Sequence, residues 1–501
     1  MFEVAELGHT LSKKEYKQRV PELRTELLTA QEALKQANFP VIVLISGVDG
    51  AGKGDTVNLL NEWLDPRYVR TFAFSPMTDE ERERPPYWRF WRSLPPNGRI
   101  GLYVGSWYSQ PIADRVTEKF NEAELDASLL RIKAFEKELV DGGALIIKIW
   151  LHLSKEAQKT RLKKLESDPK TAWRVTEQDK KHLKSYDQFR AVAERTLRET
   201  SSGMAPWIII EGSDANYRGM TVGQHILDRI QAHMTQQQPA QPPLPLSSTE
   251  TQPVVKRPLT LLGNLNMQQT LGKKEYRQQL EKLQGRLHLL ARTAHQKKIS
   301  SVIVLEGWDA GGKGGLIRRI IPALDARHYQ IIPIAAPTDE ERAHHYLWRF
   351  WRHIPRAGQI TIYDRSWYGR VLVERVEGYA QPEEWMRAYA EINDFEEQLA
   401  DHHTVLLKFW LHIDKDEQLR RFQAREKISY KQYKITEEDY RNRERWDDYE
   451  HAVNDMVERT STEYAPWVLI EGNDKRFARI KALREYCDRL EAAVDQEASD
   501  K

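Results

Sequence analysis

Apolar runs alternate with amphipathic, charged stretches along the second half of the chain, and this alternation predicts strands and helices in turn. Short apolar runs at residues 301–305, 331–334, 359–363, 405–410 and 467–471 predict strands. Charged stretches at residues 273–298, 382–399 and about 415–460 predict helices, and the segment after residue 471 predicts a final one. Thr338, with Glu341 three residues later, predicts a capped helix start. Strands alternating with helices indicate a parallel sheet covered on both faces.

The first half of the chain repeats the second at an offset of 260 residues, since LSKKEY at residues 11–16 returns as LGKKEY at residues 271–276. Trp91 and Trp351, and Glu211 and Glu471, keep the same offset. An ungapped repeat about two hundred residues long indicates a domain duplication rather than a solenoid. We predict a first domain at residues 1–234, a Pro- and Gln-rich linker at residues 235–258 and a second domain at residues 259–501.

Composition narrows the class of protein. The 501 residues carry 76 basic and 74 acidic side chains, so the chain is not a bulk coat for nucleic acid or a membrane surface. A single cysteine excludes an intramolecular disulfide framework and suits a reducing compartment. The N-terminus has no apolar signal region, and no run reaches membrane-spanning length. We expect a soluble cytoplasmic protein without nucleic-acid or membrane partners.

A phosphate-binding loop of the Walker A type follows the strand at residues 301–305. Gly307, Gly312 and Lys313 give the G-x-x-x-x-G-K spacing, in which glycines let backbone N–H groups surround an anion at a helix N-terminus. Gly314 replaces the usual Ser or Thr, so no hydroxyl is available for magnesium, and Asp309 is the candidate substitute. The pattern predicts a tandem P-loop kinase-like, three-layer α/β/α sandwich.

A second chemical motif, YDRSWYGR, lies at the end of the strand at residues 359–363. Asp364 is placed to hold phosphate-bound magnesium, and Arg365 and Arg370 to neutralise phosphoryl oxygens. Glu374, one helical turn after Arg370, is a further candidate for the metal site. The alternative is that Asp364 caps a turn and that both arginines are solvated.

The first copy keeps the phosphate loop but loses this second motif. Val104, Gly105 and Gln110 stand in place of the acid and both arginines, so we expect the first domain to be degenerate and the chemistry to lie in the second. Both copies keep the Ser-Trp-Tyr sequence, which predicts a packing role for Trp367 and Tyr368.

Other basic side chains are weaker candidates for binding nucleotide or phosphate. Arg349 and Arg352 share one helix face and could follow an extended anion, although the first copy carries the same pair, which favours a structural role equally. Lys408 and Arg421 could belong to a basic, helical lid, the alternative being a solvated helix face.

Six motifs, in order across the second half, resemble the polyphosphate kinase 2 family. They are GWDAGGKGG (307–315), PTDEE (337–341), YLWRFWR (346–352), YDRSWYGR (363–370), KFWLHI (408–413) and APW (465–467). The fused arrangement resembles the family's two-domain class, the polyphosphate:AMP phosphotransferases. The resemblance implies phosphoryl transfer from inorganic polyphosphate to AMP, giving ADP, with magnesium or alternatively manganese, a helical lid and a homo-oligomer.

The same resemblance implies roles for five residues in binding nucleotide, metal and phosphate: Asp309, Lys313, Asp364, Arg365 and Arg370. Gly369 stands where the family often has Asn. Three alternatives stay open: an ATP-dependent nucleoside monophosphate kinase, a polyphosphate:ADP phosphotransferase, and a non-catalytic phosphate-binding scaffold. No residue in the sequence indicates which base is bound or whether AMP or ADP is the acceptor.

Overall fold

Two parallel sheets of five strands each form the framework of the protein. The computed structural model describes residues 1–236, 260–427 and 437–499. The strands of the first sheet are β1 Val41–Gly47, β2 Val69–Ala73, β3 Ile100–Val104, β4 Leu145–His152 and β5 Trp207–Glu211. Those of the second sheet are β6 Ser300–Gly307, β7 Tyr329–Pro333, β8 Ile360–Asp364, β9 Thr404–His412 and β10 Trp467–Glu471. The predicted tandem α/β fold with parallel sheets is therefore confirmed.

Helices connect the strands in both repeats. The α-helices of the first repeat are α1 Lys13–Leu34, α2 Lys53–Trp63, α3 Asp79–Arg82, α4 Trp88–Ser93, α5 Ser109–Val116, α6 Glu122–Asp141, α7 Lys155–Ser167, α8 Glu177–Lys184, α9 Tyr186–Thr200 and α10 Ala215–Gln236. Those of the second repeat are α11 Lys273–Gln296, α12 Lys313–Ile320, α13 Asp339–Arg342, α14 Trp348–Trp351, α15 Val373–Val376, α16 Pro382–Asp401, α17 Lys415–Glu426, α18 Glu437–Glu444, α19 Trp446–Thr460 and α20 Lys475–Ser499. Short 3₁₀ segments occur at Phe2–Ala5, Pro66–Tyr68, Ala172–Arg174, Leu262–Asn264, Ile321–Ala323 and Trp367–Val371.

The structure agrees with the predicted elements and refines their ends. Each predicted strand of the second half is present, and α13 begins with the predicted capping box of Thr338 and Glu341. The single helical stretch predicted at residues 415–460 contains three described helices, α17, α18 and α19, with residues 428–436 outside the described part. The predicted linker also lies outside it, apart from residues 235 and 236. In the described ranges, no helix combines the length and apolar character needed to cross a membrane.

The order of the strands places the loop after β6 at the centre of the second sheet. The order is β7-β8-β6-β9-β10, and the first sheet has the corresponding order β2-β3-β1-β4-β5. Connections run to one side of β6 for β7 and β8 and to the other side for β9 and β10. In open α/β sheets, ligands bind at the carboxyl ends of the strands where this reversal occurs. The fold therefore predicts a site beyond the carboxyl ends of β6, β8 and β9.

The central strands are buried on both faces, which explains their continuous apolar sequences. In β9, all residues except Val405 are buried, and β6 is buried up to Glu306. The core of the second repeat joins β6 and β9 with the apolar faces of α11, α12 and α20. Because the central strands are buried and rigid, the residues at their carboxyl ends are held in fixed positions.

The described residues group into two compact units whose boundaries differ from those of the repeats. The first unit draws on Met1–Met77, Arg89–Thr249 and Thr338–His345, and the second on Thr78–Trp88, Glu250–Pro337 and Tyr346–Lys501. Each unit thus includes a short segment from the other repeat. The domain boundaries proposed at residues 234 and 259 stay a prediction.

A buried ion pair links four elements of the second unit. Lys408 on β9 and Glu396 on α16 are both fully buried, with Nζ 2.6 Å from Oε2. The Lys408 ammonium also donates to the Tyr368 hydroxyl at 2.9 Å and to the Thr460 carbonyl at 2.6 Å. The other carboxylate oxygen of Glu396 accepts from Trp367 Nε1 and from the Tyr368 hydroxyl. All donors of the ammonium are used, so the charge is compensated inside the core.

The first unit contains the same arrangement. Lys148 lies 2.7 Å from Glu136 and donates to the Tyr108 hydroxyl and the Thr200 carbonyl, while Trp107 donates to Glu136. This pair explains why the Ser-Trp-Tyr sequence occurs in both copies. The predicted packing role of Trp367 and Tyr368 is confirmed, since both side chains are completely buried.

Breaking this pair from one side is expected to destabilise the second unit. Lys408→Met leaves the Glu396 carboxylate buried without its counter-ion, and we expect a loss of about 3–5 kcal/mol in the free energy of unfolding. The double variant Lys408→Met, Glu396→Leu removes both charges and should regain most of that loss. Urea denaturation followed by tryptophan fluorescence measures both. Equal stability of the single and double variants would contradict the interpretation.

Candidate active site

The phosphate loop of the second repeat turns sharply where β6 ends, and glycine is required there. Gly307 has φ 147°, and a Cβ atom at this position would lie 2.5 Å from the carbonyl oxygen of Leu411 on β9. Gly312 has φ 122° and precedes α12, whose first residue is Lys313. Glycine alone tolerates both the close approach and these backbone angles. At Gly314, by contrast, a Cβ atom would meet nothing within 4 Å.

Lys313 lies along the inside of the loop. Its ammonium donates to the Gly307 carbonyl at 2.6 Å, and it lines the cleft at the carboxyl end of the sheet. In loops of this kind, backbone N–H groups surround the bound phosphate. A lysine whose ammonium is held by a carbonyl of the loop is therefore already close to the place where phosphate binds. The equivalent Lys53 of the first unit donates to the Gly47 carbonyl at 2.9 Å.

Asp309 and Arg365 meet across the same cleft. Arg365 Nη2 lies 3.1 Å from Asp309 Oδ1, and both residues line the cleft together with Lys313. Arg365 directly follows β8 and adopts φ 66°, a left-handed conformation that costs energy for a residue other than glycine. The structure thus brings three of the predicted site residues together in one cleft. One of them, Arg365, has a strained backbone conformation.

Asp364, Arg370 and Glu374 lie beside this group, outside the lining of the cleft. Asp364 ends β8, in register with Leu305 of β6. Burial raises the pKa of Glu306, and the charge of Asp364 adds to that effect. Arg370 forms an ion pair with Glu374 at 3.0 Å. Burial raises the pKa of Glu374, against the opposing charge of Arg370. The predicted roles of these three residues stay predictions.

Two of the predicted phosphate contacts require correction. Lys408 is completely buried in the Glu396 ion pair, so its ammonium cannot belong to a basic lid. Arg421 has 3% of its side chain exposed and donates to the carbonyls of Ala310 and Gly311 in the loop and of Gly472 after β10. Arg421 also forms an ion pair with Glu417 on the same helix. Its donors are thus taken up by backbone oxygens and this carboxylate, and Arg421 supports the phosphate loop from behind.

Arg349 on α14 and Arg352 directly after that helix behave as packing residues in this structure. Arg349 donates to the Ala335 carbonyl at 3.0 Å, and the Arg352 guanidinium lies 4.7 Å from the Trp348 ring centroid. In the first unit, Arg89 makes the equivalent bond to the Ser75 carbonyl, also at 3.0 Å. The repetition of this contact supports the structural alternative for Arg349.

Several residues that line the cleft were missed from the sequence. Glu306 precedes Gly307 and accepts from the Ser366 hydroxyl at 2.8 Å. Burial raises the pKa of Glu306, against the opposing charge of Lys313. Comparison of the two copies could have identified it, because the first copy has Ser46 at this position. The remaining missed residues are Trp308, Leu372, Val373, Trp410, Gln418, Asn442 and Tyr449, and Gly369, noted above for its departure from the family, also lines the cleft.

Asn442 and Gln418 hold Asp309 from the side of the helices. Asn442 Nδ2 donates to Asp309 Oδ2 at 3.2 Å, and Gln418 Nε2 donates to the Asp309 backbone carbonyl at 3.2 Å. With Arg365 on Oδ1, both carboxylate oxygens are therefore oriented. No local sequence signal connects Asn442 to Asp309, which is 133 residues away.

In the first unit, the loop carboxylate is paired with a lysine and a histidine. His182, which replaces Asn442, lies 2.5 Å from Asp49, and Lys53 lies 3.1 Å from it. Burial alone would raise the pKa of Asp49, but the hydrogen bonds and charges of these two residues hold it below its ordinary value. Val104 and Gly105 offer no acid or guanidinium at the end of β3. The carboxylate of the first loop is thus already paired with residues of its own unit.

The support of the first loop also differs. A buried arginine on α10, Arg218, donates to the Gly212 carbonyl, as Arg421 does to the equivalent Gly472. Its guanidinium carbon lies 2.4 Å from where a Cβ atom of Gly52 would stand. Arg161, the counterpart of Arg421, instead contacts Asp55.

The carboxylates of the second unit are chemically suited to a divalent cation. Asp309, Asp364 and Glu306 lie at the carboxyl ends of adjacent strands or in the loop between them, and supply only hard oxygen donors. Such donors are the ones that Mg²⁺ and Mn²⁺ take, usually together with waters and substrate phosphates. The chemistry of these donors therefore suits the metal expected from the sequence, although their ligand atoms do not all lie within 4.8 Å of one another in this structure.

Comparison with known proteins agrees with this geometry. The sequence profile of polyphosphate kinase 2 (PPK2) matches residues 10–238 and again residues 270–498. A polyphosphate:AMP phosphotransferase of Pseudomonas aeruginosa is 53% identical over 99% of this chain and 100% of its own length. A polyphosphate:AMP phosphotransferase of Acinetobacter johnsonii is 38% identical over 95% of this chain and 97% of its own length.

A solved structure extends the similarity to three dimensions. The crystal structure of a polyphosphate kinase 2 from Pseudomonas aeruginosa PA01 superposes with a TM-score of 0.88, at 52% identity and with 99% of each chain covered. The double profile match, the full-length similarity and the duplicated parallel sheets all lead to one assignment. The resemblance noted in the sequence motifs is confirmed: this chain belongs to the polyphosphate kinase 2 family, with one copy of the family fold in each repeat.

Proposed function

We propose that this chain transfers a phosphoryl group from inorganic polyphosphate to AMP, forming ADP, and that the second unit carries the reaction. The observation that supports it most directly is the meeting of Asp309, Lys313 and Arg365 on one cleft, beside the phosphate loop. The full-length relatives named polyphosphate:AMP phosphotransferases support the choice of donor and acceptor.

The reaction exchanges one phosphorus–oxygen bond for another. An oxygen of the AMP phosphate attacks the terminal phosphorus of polyphosphate, and the bond from that phosphorus to its bridging oxygen breaks. The products are ADP and a polyphosphate shorter by one unit. Because the AMP phosphate is already an anionic nucleophile, catalysis is positioning and charge compensation, and no strong general base is required.

The residues of the cleft supply both effects. Lys313 and Arg365 place positive charge where the transferred group carries its negative charge, and Arg370 follows in the 3₁₀ segment Trp367–Val371. Asp309 is held on both oxygens, so its orientation is fixed before substrate binds. Burial raises the pKa of Glu306, and the charge of Lys313 opposes that effect.

A divalent cation, which we propose to be Mg²⁺, would be held by Asp309 and Asp364, with Glu306 adjacent. Bound there, it would neutralise the oxygens of the donor and acceptor phosphates. The first unit lacks Asp364 and Arg365 counterparts and neutralises Asp49 internally, so we assign it no catalytic step.

The choice of donor can be tested directly. We expect purified protein to form ADP from AMP with polyphosphate and Mg²⁺, and formation of ADP to stop when EDTA removes the cation and to return when Mg²⁺ is added in excess. Chromatographic quantification of AMP, ADP and ATP measures this. ADP formed only with ATP as donor would identify a nucleoside monophosphate kinase instead.

The two loop lysines form a matched pair of variants. Lys313→Ala removes a preorganised contact to the transferred phosphate, and we expect kcat to fall about a hundred- to a thousandfold. Lys53→Ala, its counterpart in the first unit, should leave kcat within about twofold, since no transition-state contact is lost there. Steady-state kinetics of the two purified variants compare them. A larger loss in Lys53→Ala would place the chemistry in the other unit.

Copying the first repeat into the second tests the strand-end motif. Asp364→Val with Arg365→Gly should abolish turnover while preserving the fold. Glycine at residue 365 suits the left-handed backbone, as Gly105 with φ 76° shows in the first unit. Circular dichroism and the thermal midpoint check the fold, and the ADP assay checks turnover. Retained activity in this double variant would exclude Asp364 and Arg365 from the mechanism.

A further inference from the structure

Helices α18 and α19 contribute Asn442 and Tyr449 to the lining of the cleft. A carboxylate in the segment after α15 is among the groups that hold these helices to the rest of the second unit. Glu377 follows α15 and has 9% of its side chain exposed. Its carboxylate accepts from the Tyr449 hydroxyl on α19 at 3.2 Å. Arg441 Nε on α18 lies 3.6 Å away, and Arg445 Nη1, between the helices, lies 3.7 Å away. Two guanidiniums and a hydroxyl thus converge on one buried acid.

We call this cluster of Glu377 with Arg441, Arg445 and Tyr449 the latch. It lies next to two contacts between the same helices and the phosphate loop. Asn442, adjacent to Arg441, donates to the Asp309 carboxylate at 3.2 Å. Trp446, adjacent to Arg445, stacks on Trp308 of the loop with ring centroids 3.7 Å apart and planes 9° apart. Each arginine of the latch therefore has a neighbour in the chain that contacts the loop.

The chemistry of the latch suits a fixed attachment. Burial raises the pKa of Tyr449, and the charge of Glu377 adds to the effect, so the hydroxyl stays protonated and donates. The two arginines compensate the acid, which would otherwise be costly to bury. Because Glu377 belongs to the segment that follows β8 and Arg365, the latch connects α18 and α19 to the side of the cleft opposite the loop.

The first repeat provides an internal comparison. It keeps the loop residues Asp49 and Lys53, yet every member of the latch and Asn442 itself has changed. At the offset of 260 residues, the counterparts of Glu377, Arg441, Asn442, Arg445 and Tyr449 are Thr117, Lys181, His182, Ser185 and Phe189. The latch and Asn442 are thus absent together from the copy that lacks the strand-end acid and arginine.

We propose that Glu377 is a positioning residue, which docks α18 and α19 against the phosphate loop so that Asn442 holds the Asp309 carboxylate in place for phosphoryl transfer. The effect of Glu377 on catalysis rests on the function proposed above, whereas the docking itself does not. Glu377 acts through Asn442 and touches neither substrate, so its loss should disturb geometry in a way that can be observed without turnover.

The stacked indoles of Trp308 and Trp446 report the docking. Two stacked indoles give an exciton couplet in far-ultraviolet circular dichroism, which the difference between the parent protein and Trp446→Phe assigns to this pair. We expect Glu377→Gln to lose most of that couplet, because the amide keeps the shape but loses the attraction to both arginines. Thr117→Ala, the matched change in the first repeat, should leave it unchanged. An intact couplet in Glu377→Gln would overturn the proposal.

A double-mutant cycle separates positioning from an independent structural effect. Glu377→Gln and Asn442→Ala should each lower kcat/KM for AMP about tenfold, and the double variant should be no worse than about tenfold, because both changes release the same carboxylate. Multiplicative losses, about a hundredfold in the double variant, would show that the residues act separately and would contradict the proposal. If the parent protein formed no ADP from polyphosphate, the proposed function would fail, and the couplet would still decide whether Glu377 docks the helices.

Discussion

A buried lysine–glutamate pair fixes the relation between sheet and helices in each unit. In the second unit it joins β9, α16, the segment after β8 and the end of α19 through one ammonium and one carboxylate. The first unit repeats the pair with the same partners. Buried charges of this kind tolerate little displacement, because each lost contact leaves a desolvated polar group. The segment that carries Asp364 and Arg365 is therefore anchored by residues that have no part in the chemistry.

The two copies separate what the fold requires from what the reaction requires. Glycines at the loop, the buried pair and the Ser-Trp-Tyr segment occur in both. Glu306, Asp364, Arg365 and the latch around Glu377 occur in the second alone. In the first unit, His182 and Lys53 pair with Asp49, so the carboxylate that remains is already compensated. The first repeat thus serves as an internal comparison for the second within a single chain.

The elements and the linear motifs could be predicted from the sequence, because they depend on local patterns. Continuous apolar runs gave the buried strands, and Thr338 with Glu341 gave a capped helix. Lys408 was misassigned because a lysine is usually solvated, and only the fold shows that Glu396 compensates it. Arg421 was misassigned for a similar reason, since only the fold shows that it reaches the backbone carbonyls of the loop in addition to its ion pair with Glu417. Asn442 was missed because its partner is distant in the chain.

The supports of the two phosphate loops have diverged, and this limits how the first copy could change. Arg421 on α17 holds the second loop, while Arg218 on α10 occupies the space against Gly52 in the first. Introducing the acid and arginines of the second repeat into the first would place them beside a phosphate loop that other residues support. Because different residues now support the first phosphate loop, an evolutionary return of that copy to activity requires several coordinated substitutions. Most of them are remote from the reacting atoms.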